Sequence, residues 1–319
     1  MLGRMMVLLL LGGALVLPVA VPDEYLIHTL IMAGFNIMLV LSLFLISGFV
    51  GQISMGHAAF FGIGAYVSAL VSLHHVPVWL GFLVASLVSL VVGLAIGYPV
   101  LRLKGHFFAI ATLGFGEIVR LLINNWVDIT GGPMGITNIQ APEGLFGLDL
   151  SSKQTYYYLV LLFVIGTIYL LVTLRDSKFG RGFIAIRLDE ITAGAMGINT
   201  ASYKILAFML SCMVAGLSGA LYAHYIRFLS PEMFTLNKSI DVLVMLLIGG
   251  VNSIWGCVVS ALVITLMNES LQSLDIYQMF VFGILILLIV LFVPKGLGGL
   301  FQRYVAAGRG LKRGTHLAD

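Results

Sequence analysis

Apolar residues run in ten stretches along the chain, at 5-22, 26-48, 55-73, 77-101, 106-124, 155-174, 204-226, 239-250, 254-270 and 276-293. Charged residues fall almost wholly in the gaps between them. Most stretches are about 18 to 25 residues long, the length a helix needs to cross about 30 Å of hydrocarbon. No series of alternating segments of about ten residues marks a membrane barrel. Only helices then satisfy their own backbone in lipid, so the pattern predicts an all-α polytopic membrane protein of about ten helical segments. The eighth stretch is too short to cross alone and is followed by Gly249, Gly250 and Asn252. A broken or partly re-entrant helix lining a protein-buried or watery path is expected there.

Composition agrees with the pattern. Of 319 residues, 60% are apolar and 10% charged, and the mean hydropathy is +1.07. With the N-terminus inside, 13 of the 17 Lys and Arg residues lie on the cytoplasmic side, leaving only Lys153, Arg227 and Lys238 outside and Arg120 within a span. By the positive-inside rule this places both termini in the cytoplasm. The domain reading is a first membrane helix at 1-25, a transmembrane domain at 26-300 and a basic cytoplasmic tail at 301-319. Within it lie a cytoplasmic loop at 175-203 and an external loop at 125-154. The first segment has two readings, a membrane helix or a cleaved signal peptide with Pro18-Val19-Ala20 near the cut. The external loop reads either as a connector or as a docking surface for an external partner.

The block 26-124 holds four spans, and 204-293 repeats that arrangement after an odd number of crossings, which predicts an inverted repeat. Gly51-Gln52-Ile53-Ser54-Met55-Gly56 weakly parallels Gly250-Val251-Asn252-Ser253-Ile254-Trp255-Gly256, two polar, glycine-bounded breaks. Broken helix ends expose the backbone groups that a zwitterionic amino acid would need. Small residues at Ala58, Gly62, Ala65 and Ala69, at Gly93 and Gly97, and at Gly216 and Ala220 read as packing seams. Cys212 and Cys257 lie in apolar runs without metal-ligand spacing and read as buried packing residues.

The chain contains no Gly-x-x-x-x-Gly-Lys-Ser/Thr phosphate loop, so energy must come from a partner or an ion gradient. The segment Arg187 to Ile198 reads as one short helix, with Asp189 and Glu190 suited to its start and Gly197 to its end. Thr192, Ala193, Met196 and Gly197 form a small-residue face with one protruding Met, suited to a groove on another protein. Glu117 and Arg120, three apart on the fifth span, either pair or gate a pathway. Gln52, Ser54, His57, Thr112, Glu117 and Asn252 are the candidate pathway residues. For His57 and Gln52 the alternative is a buried, hydrogen-bonded group that pins helices.

The 187-198 run resembles the coupling loop of ATP-binding-cassette (ABC) importer permeases, whose core is Ala-Ala-x-x-x-Gly after an acidic residue. Thr192 replaces the first Ala, Glu190 stands one residue further away, and Gly197 fits. Gly51 to Tyr66, Leu101 to Phe115, Thr130-Gly131-Gly132, Met196-Gly197-Ile198-Asn199, Lys204 with Ala207-Phe208, and Ser230-Pro231-Glu232 with Phe234 look like the LivM-type permease of branched-chain amino acid importers. Asn252 departs from that family's usual Gly. The resemblance spans roughly residues 26 to 300. It implies a non-catalytic bacterial inner-membrane subunit that binds no cofactor of its own. Its partners would be a second permease, two ATPase subunits carrying ATP and Mg, and a periplasmic substrate-binding protein, with lipid around it and no nucleic acid. Arg187, Asp189, Glu190, Thr192, Ala193, Met196, Gly197 and Ile198 would couple to the ATPase. Urea, amides or other amino acids are alternative substrates within the family. An ion-coupled transporter using Glu117 is a second class. A serine protease built on Gly216-Leu217-Ser218-Gly219 with His57 or His224 is a third.

Overall fold

A computed structural model describes residues 23–103, 105–142, 144, 150 and 152–271, with Pro18, Phe280, Gly283, Ile284 and Leu287 as isolated positions. The apolar stretches at 5-22 and 276-293 and the tail at 301-319 lie outside the described residues, apart from those positions. Among the described residues the architecture is all-helical. Helix α1 spans Glu24–Phe44 and continues as a π-helix over Leu45–Val50. It is followed by α2 (His57–Leu73), α3 (Val78–Val100), α4 (His106–Asn125) and α5 (Lys153–Asp176). Two short helices come next, α6 (Lys178–Leu188) and α7 (Glu190–Ala195). The chain then forms α8 (Thr200–Ile226), α9 (Leu236–Gly249) and α10 (Ile254–Leu271).

Six of these elements are long and apolar enough to cross a membrane: α1 with its π-helical tail, α3, α4, α5, α8 and α10. The stretches read from sequence at 55-73 and 239-250 become α2, of 17 residues, and α9, of 14. At 1.5 Å per residue α9 covers about 21 Å, short of a full crossing. The expectation that the eighth stretch ends in a break is met at Gly250, whose φ of +90° stops the helix.

Helix α1 is apolar on every side and therefore takes the centre; every residue from Ala33 to Val50 is buried. Helix α8 fills the second core position because small residues let it approach its neighbours closely. A β-carbon on Gly64 would lie 2.0 Å from the carbonyl oxygen of Gly216, and one on Gly219 would lie 1.9 Å from that of Phe61. The α3 face meets α8 in the same way, Gly93 against Cys212 and Gly97 against Phe208. Thus the seams expected at Gly93, Gly97 and Gly216 are where α3 and α8 pack. Gly64 and Gly219, not among the expected seam positions, make the closest α2 to α8 approach.

Outward faces tell the other half of the pattern. Leu80, Leu83, Leu87, Val91 and Leu94 form an exposed stripe along α3 at three- and four-residue spacing. Such a stripe is stable against lipid or another apolar helix, not against water. Polar side chains point inward instead and join helices. Asn36 on α1 donates to Thr265 on α10, Ser218 donates to the carbonyl of Phe35, and Tyr156 donates to that of Leu221. Each such bond between membrane helices contributes about 0.6 kcal/mol on average. Cys212 and Cys257 are free and buried, as packing residues.

Candidate functional site

The break between α1 and α2 is built from backbone strain and polar pins. The π-helical tail ends at Gly51, where φ is +85°, a conformation that favours glycine. Non-helical residues then lead to α2. Gly56 lies so close to the Thr112 carbonyl that a β-carbon would sit 2.3 Å from it, and the Met55 amide donates to Thr112 Oγ1. His57, the first residue of α2, is buried. Its Nε2 bonds Ser211 Oγ at 2.7 Å, while Ser211 in turn donates to the carbonyl of Ser42. The Ser211 hydroxyl proton is thereby committed, so Nε2 carries the imidazole proton and Nδ1 accepts from Ser54 Oγ at 3.1 Å. In this structure His57 is a hydrogen-bonded pin between α1, α2 and α8. Gln52 Oε1 is enclosed without a hydrogen-bond partner among the described residues.

The starts of the two short helices meet. The Ala58 amide of α2 donates to Ser239 Oγ of α9 at 3.1 Å. Beside this contact lies a cavity of about 150 Å³ whose lining includes Met55, Ala58, Glu117, Phe234 and Ser239. That is room for about five waters. Among the candidate pathway residues, Glu117 lines this cavity, Thr112 and Ser54 brace its wall, and Asn252 is exposed at the other break. Glu117 pairs with Arg120, whose Nε reaches both carboxylate oxygens at 3.0 and 3.1 Å. Glu232, from the turn before α9, approaches the same guanidinium at 3.5 Å.

The second break, at 250–253, repeats the local chemistry of the first. Gly250 turns the chain, and Ser253 Oγ accepts from the Gly256 amide as Ser54 Oγ accepts from Gly56. Yet Arg187 reaches carbonyls at both places, that of Gly48 and that of Val251, so the two breaks share one end of the molecule. Members of an inverted pair would lie at opposite ends. Their likeness in sequence is one of similar local turns.

The predicted single helix over 187–198 is two: Arg187 and Leu188 end α6, extended Asp189 breaks the chain, and the start expected at Asp189-Glu190 and the stop at Gly197 belong to α7. Asp189 caps α7, with Oδ1 accepting from the Ile191 and Thr192 amides and Oδ2 from the Thr192 hydroxyl. These bonds hold its carboxyl below the usual carboxylate range. At the far end Gly197 has φ +84°, and the Ile198 amide bonds the Ala193 carbonyl, closing a Schellman turn. Glu190 forms an ion pair with buried Lys204 of α8 at 2.5 Å. Ala193 turns inward and is buried. The protruding apolar group is instead Leu188, Ile191 and Met196, exposed by 82%, 80% and 80%. Burial lowers the affinity of the Arg187 guanidinium for its proton relative to a free side chain.

Sequence reasoning missed several of these contacts. Lys204 lies fourteen positions from Glu190, beyond any local helical spacing. Lys238, read as external, donates to Asn36 Oδ1 in the middle of α1 at 2.8 Å. Nothing in the sequence distinguishes Ser211 or Ser239 from other helix serines. The loop read as external folds back on the chain: Ile136 and Leu229 exchange backbone bonds, and His224 Nδ1 donates to the Gln140 carbonyl. Ser218 donates to a carbonyl, while His57 bonds Ser211 and His224 bonds Ser68, so neither histidine is paired with Ser218 as the protease reading requires. Among the described residues no cluster of three or more His, Cys, Asp or Glu could hold a metal.

A bundle of apolar helices, two of them short and interrupted, with a capped helix displayed at one end, defines a polytopic membrane transport protein. The chain belongs to the family described as branched-chain amino acid transport system, permease component, which it matches over residues 25–290. It is 35% identical over 290 residues to the high-affinity branched-chain amino acid transport system permease protein LivM of Salmonella typhimurium, covering 83% of this chain and 68% of that one. LivM of Escherichia coli is 35% identical over 285 residues, covering 82% and 67%. LivH of Salmonella typhimurium, named as a permease protein of the same transport system, is 24% identical over 279 residues, covering 80% and 88%. No solved structure matches the chain.

Proposed function

We propose that this chain is the LivM-type permease subunit of an importer that carries leucine, isoleucine and valine across the bacterial inner membrane. In this reading it catalyses no reaction and binds no cofactor. A periplasmic binding protein delivers substrate, and two cytoplasmic ATPase subunits hydrolyse MgATP. A second permease pairs with it; the likeness of the chain to both LivM and LivH favours two homologous permeases. Both termini face the cytoplasm, with about ten helical segments in all.

The single observation that carries the coupling role is the cluster Leu188, Ile191 and Met196. Three large apolar side chains project from the end of α6, from α7 and from the C-cap of α7, beside a charged ion pair rather than within a lipid-facing stripe. A groove on an ATPase subunit is the surface that suits them. The inverted repeat is supported by packing: α8 lies on α2 and α3 as α1 lies on α9 and α10, and the starts of α2 and α9 touch. Broken-helix starts at the repeat interface are where such transporters hold substrate. We place the pathway beside the cavity at Glu117 and Ser239, with Gln52, Ser54, His57, Thr112 and Asn252 shaping the helix breaks around it. The test is uptake of radiolabelled leucine by proteoliposomes holding the whole complex, with urea and an amide as competing substrates. ATP-dependent leucine uptake supports the reading; uptake driven by an ion gradient in the isolated chain overturns it in favour of a secondary transporter.

A further inference from the structure

One side chain joins two helix ends. Arg187 stands in the last turn of α6, and a single residue, Asp189, separates that helix from α7. Its stem lies against Gly51, where a β-carbon would come 3.0 Å from Arg187 Cγ. Its Nη1 donates to the carbonyl of Gly48 and, at 3.3 Å, to that of Val251. The first carbonyl belongs to the π-helical tail of α1 and the second to the turn after α9. The Gly48 carbonyl stands in a helix's last turn, where the negative end of the dipole lies, and the Val251 carbonyl in the turn that follows the end of α9. One guanidinium therefore satisfies both ends and holds them at a fixed separation. Each break then turns at a glycine of positive φ, Gly51 or Gly250, and restarts as α2 or α10.

We propose that Arg187 is a positioning residue that locks the two helix breaks together, so that a displacement of α6 and α7 moves both breaks at once. The inference rests on the reading of α7 as the ATPase-docking element and adds to it a path inward. Displacing α7 shifts Arg187 directly, because one extended residue links the two helices. Both carbonyls then follow or lose their donor together. A helix docked on the surface thus reaches the wall of the cavity through α2, whose first turn bonds Ser239.

The experiment uses the reconstituted complex with Arg187→Met, which keeps the stem on Gly51 but removes the donors, and Arg187→Lys, which restores a cationic nitrogen. Two quantities are read: leucine moved per ATP hydrolysed, and hydrogen exchange of backbone amides at 49–53 and 251–254. Arg187→Met is expected to lower the transport-to-hydrolysis ratio about tenfold, within the usual range of coupling effects, with hydrolysis retained. Both segments should exchange faster, and Arg187→Lys should recover most of each effect. An unchanged ratio, or faster exchange at one break alone, overturns the lock. Should Arg187→Met fail to assemble, exchange in the wild-type complex with and without trapped ATP decides: changes at both breaks support the proposal, and a change at one contradicts it. A wild-type complex without ATP-driven uptake defeats the importer reading, while exchange in the full chain in nanodiscs still tests the lock.

Discussion

Replacing Gly219 by alanine puts the helix-packing argument under direct strain. The added methyl carbon would lie 1.9 Å from the Phe61 carbonyl oxygen, 2.8 Å from its carbon and 3.0 Å from the Ala65 nitrogen. All three are backbone atoms, so no rotamer change relieves the contact. Ordinary contact begins at 3.4 Å, so α2 and α8 must part locally by roughly 1.5 Å. A gap of even 0.5–1 Å forfeits about a quarter to a half of each dispersion well along the seam. Overpacking of this kind costs about 1–3 kcal/mol, and the better helix propensity of alanine returns up to about 1 kcal/mol. Loss of stability is the net expectation. The assay is thermal melting of the detergent-solubilised full chain, followed by size-exclusion of the surviving folded fraction. Gly166→Ala, inside α5, is the control, since nothing lies within 4 Å of its added carbon; it should melt at or slightly above wild type. A Gly219→Ala protein melting at or above wild type would refute the close α2 to α8 approach.

Further expectations follow from the same contacts. Gly197→Ala meets open space but puts an L residue at φ +84°, at a cost of about 1–2 kcal/mol; Gly197→Arg adds bulk on the docking face and should lower leucine uptake per ATP further, as measured in the reconstituted complex. Ser211→Ala leaves the buried His57 Nε2–H without its acceptor and should destabilise the chain by about 1–3 kcal/mol in the same melting assay. The Asp189 cap is fully present above the ordinary aspartate pKa of about 3.9 and is lost as pH falls through the lower native value. Exchange of the Ile191 and Thr192 amides should therefore lose protection only at acid pH, and Asp189→Asn should remove that pH dependence.

Hydrophobic runs revealed the helices because membrane burial acts on whole segments; α1, α3, α4, α5 and α8 lie within a few residues of their predicted spans. The break at Gly250 was legible from Gly249-Gly250 and the polar residues after it. The contacts between segments were less so. Arg187 looked like a docking residue because only its neighbours in the chain were visible; its bonds to Gly48 and Val251 bridge 139 and 64 positions. Ala193 fell on the predicted exposed face because a six-residue helix gives too little periodicity to fix which side packs inward. Lys238 was assigned to water by its charge, whereas a partner at Asn36 holds it among the helices. The pairing of Glu117 with Arg120, by contrast, was local enough for three-residue spacing to show.

The central claim is that this chain moves branched-chain amino acids only when a docked ATPase drives it. Its most direct test is leucine uptake by proteoliposomes, comparing the complete complex with one carrying Leu188→Ser, Ile191→Ser and Met196→Ser together. The account predicts ATP-dependent uptake by the first. In the second, uptake should be lost together with ATPase binding, while the chain's melting temperature stays unchanged because those side chains are largely exposed. Uptake that survives the triple substitution, or leucine transport by the chain without any ATPase, would contradict it.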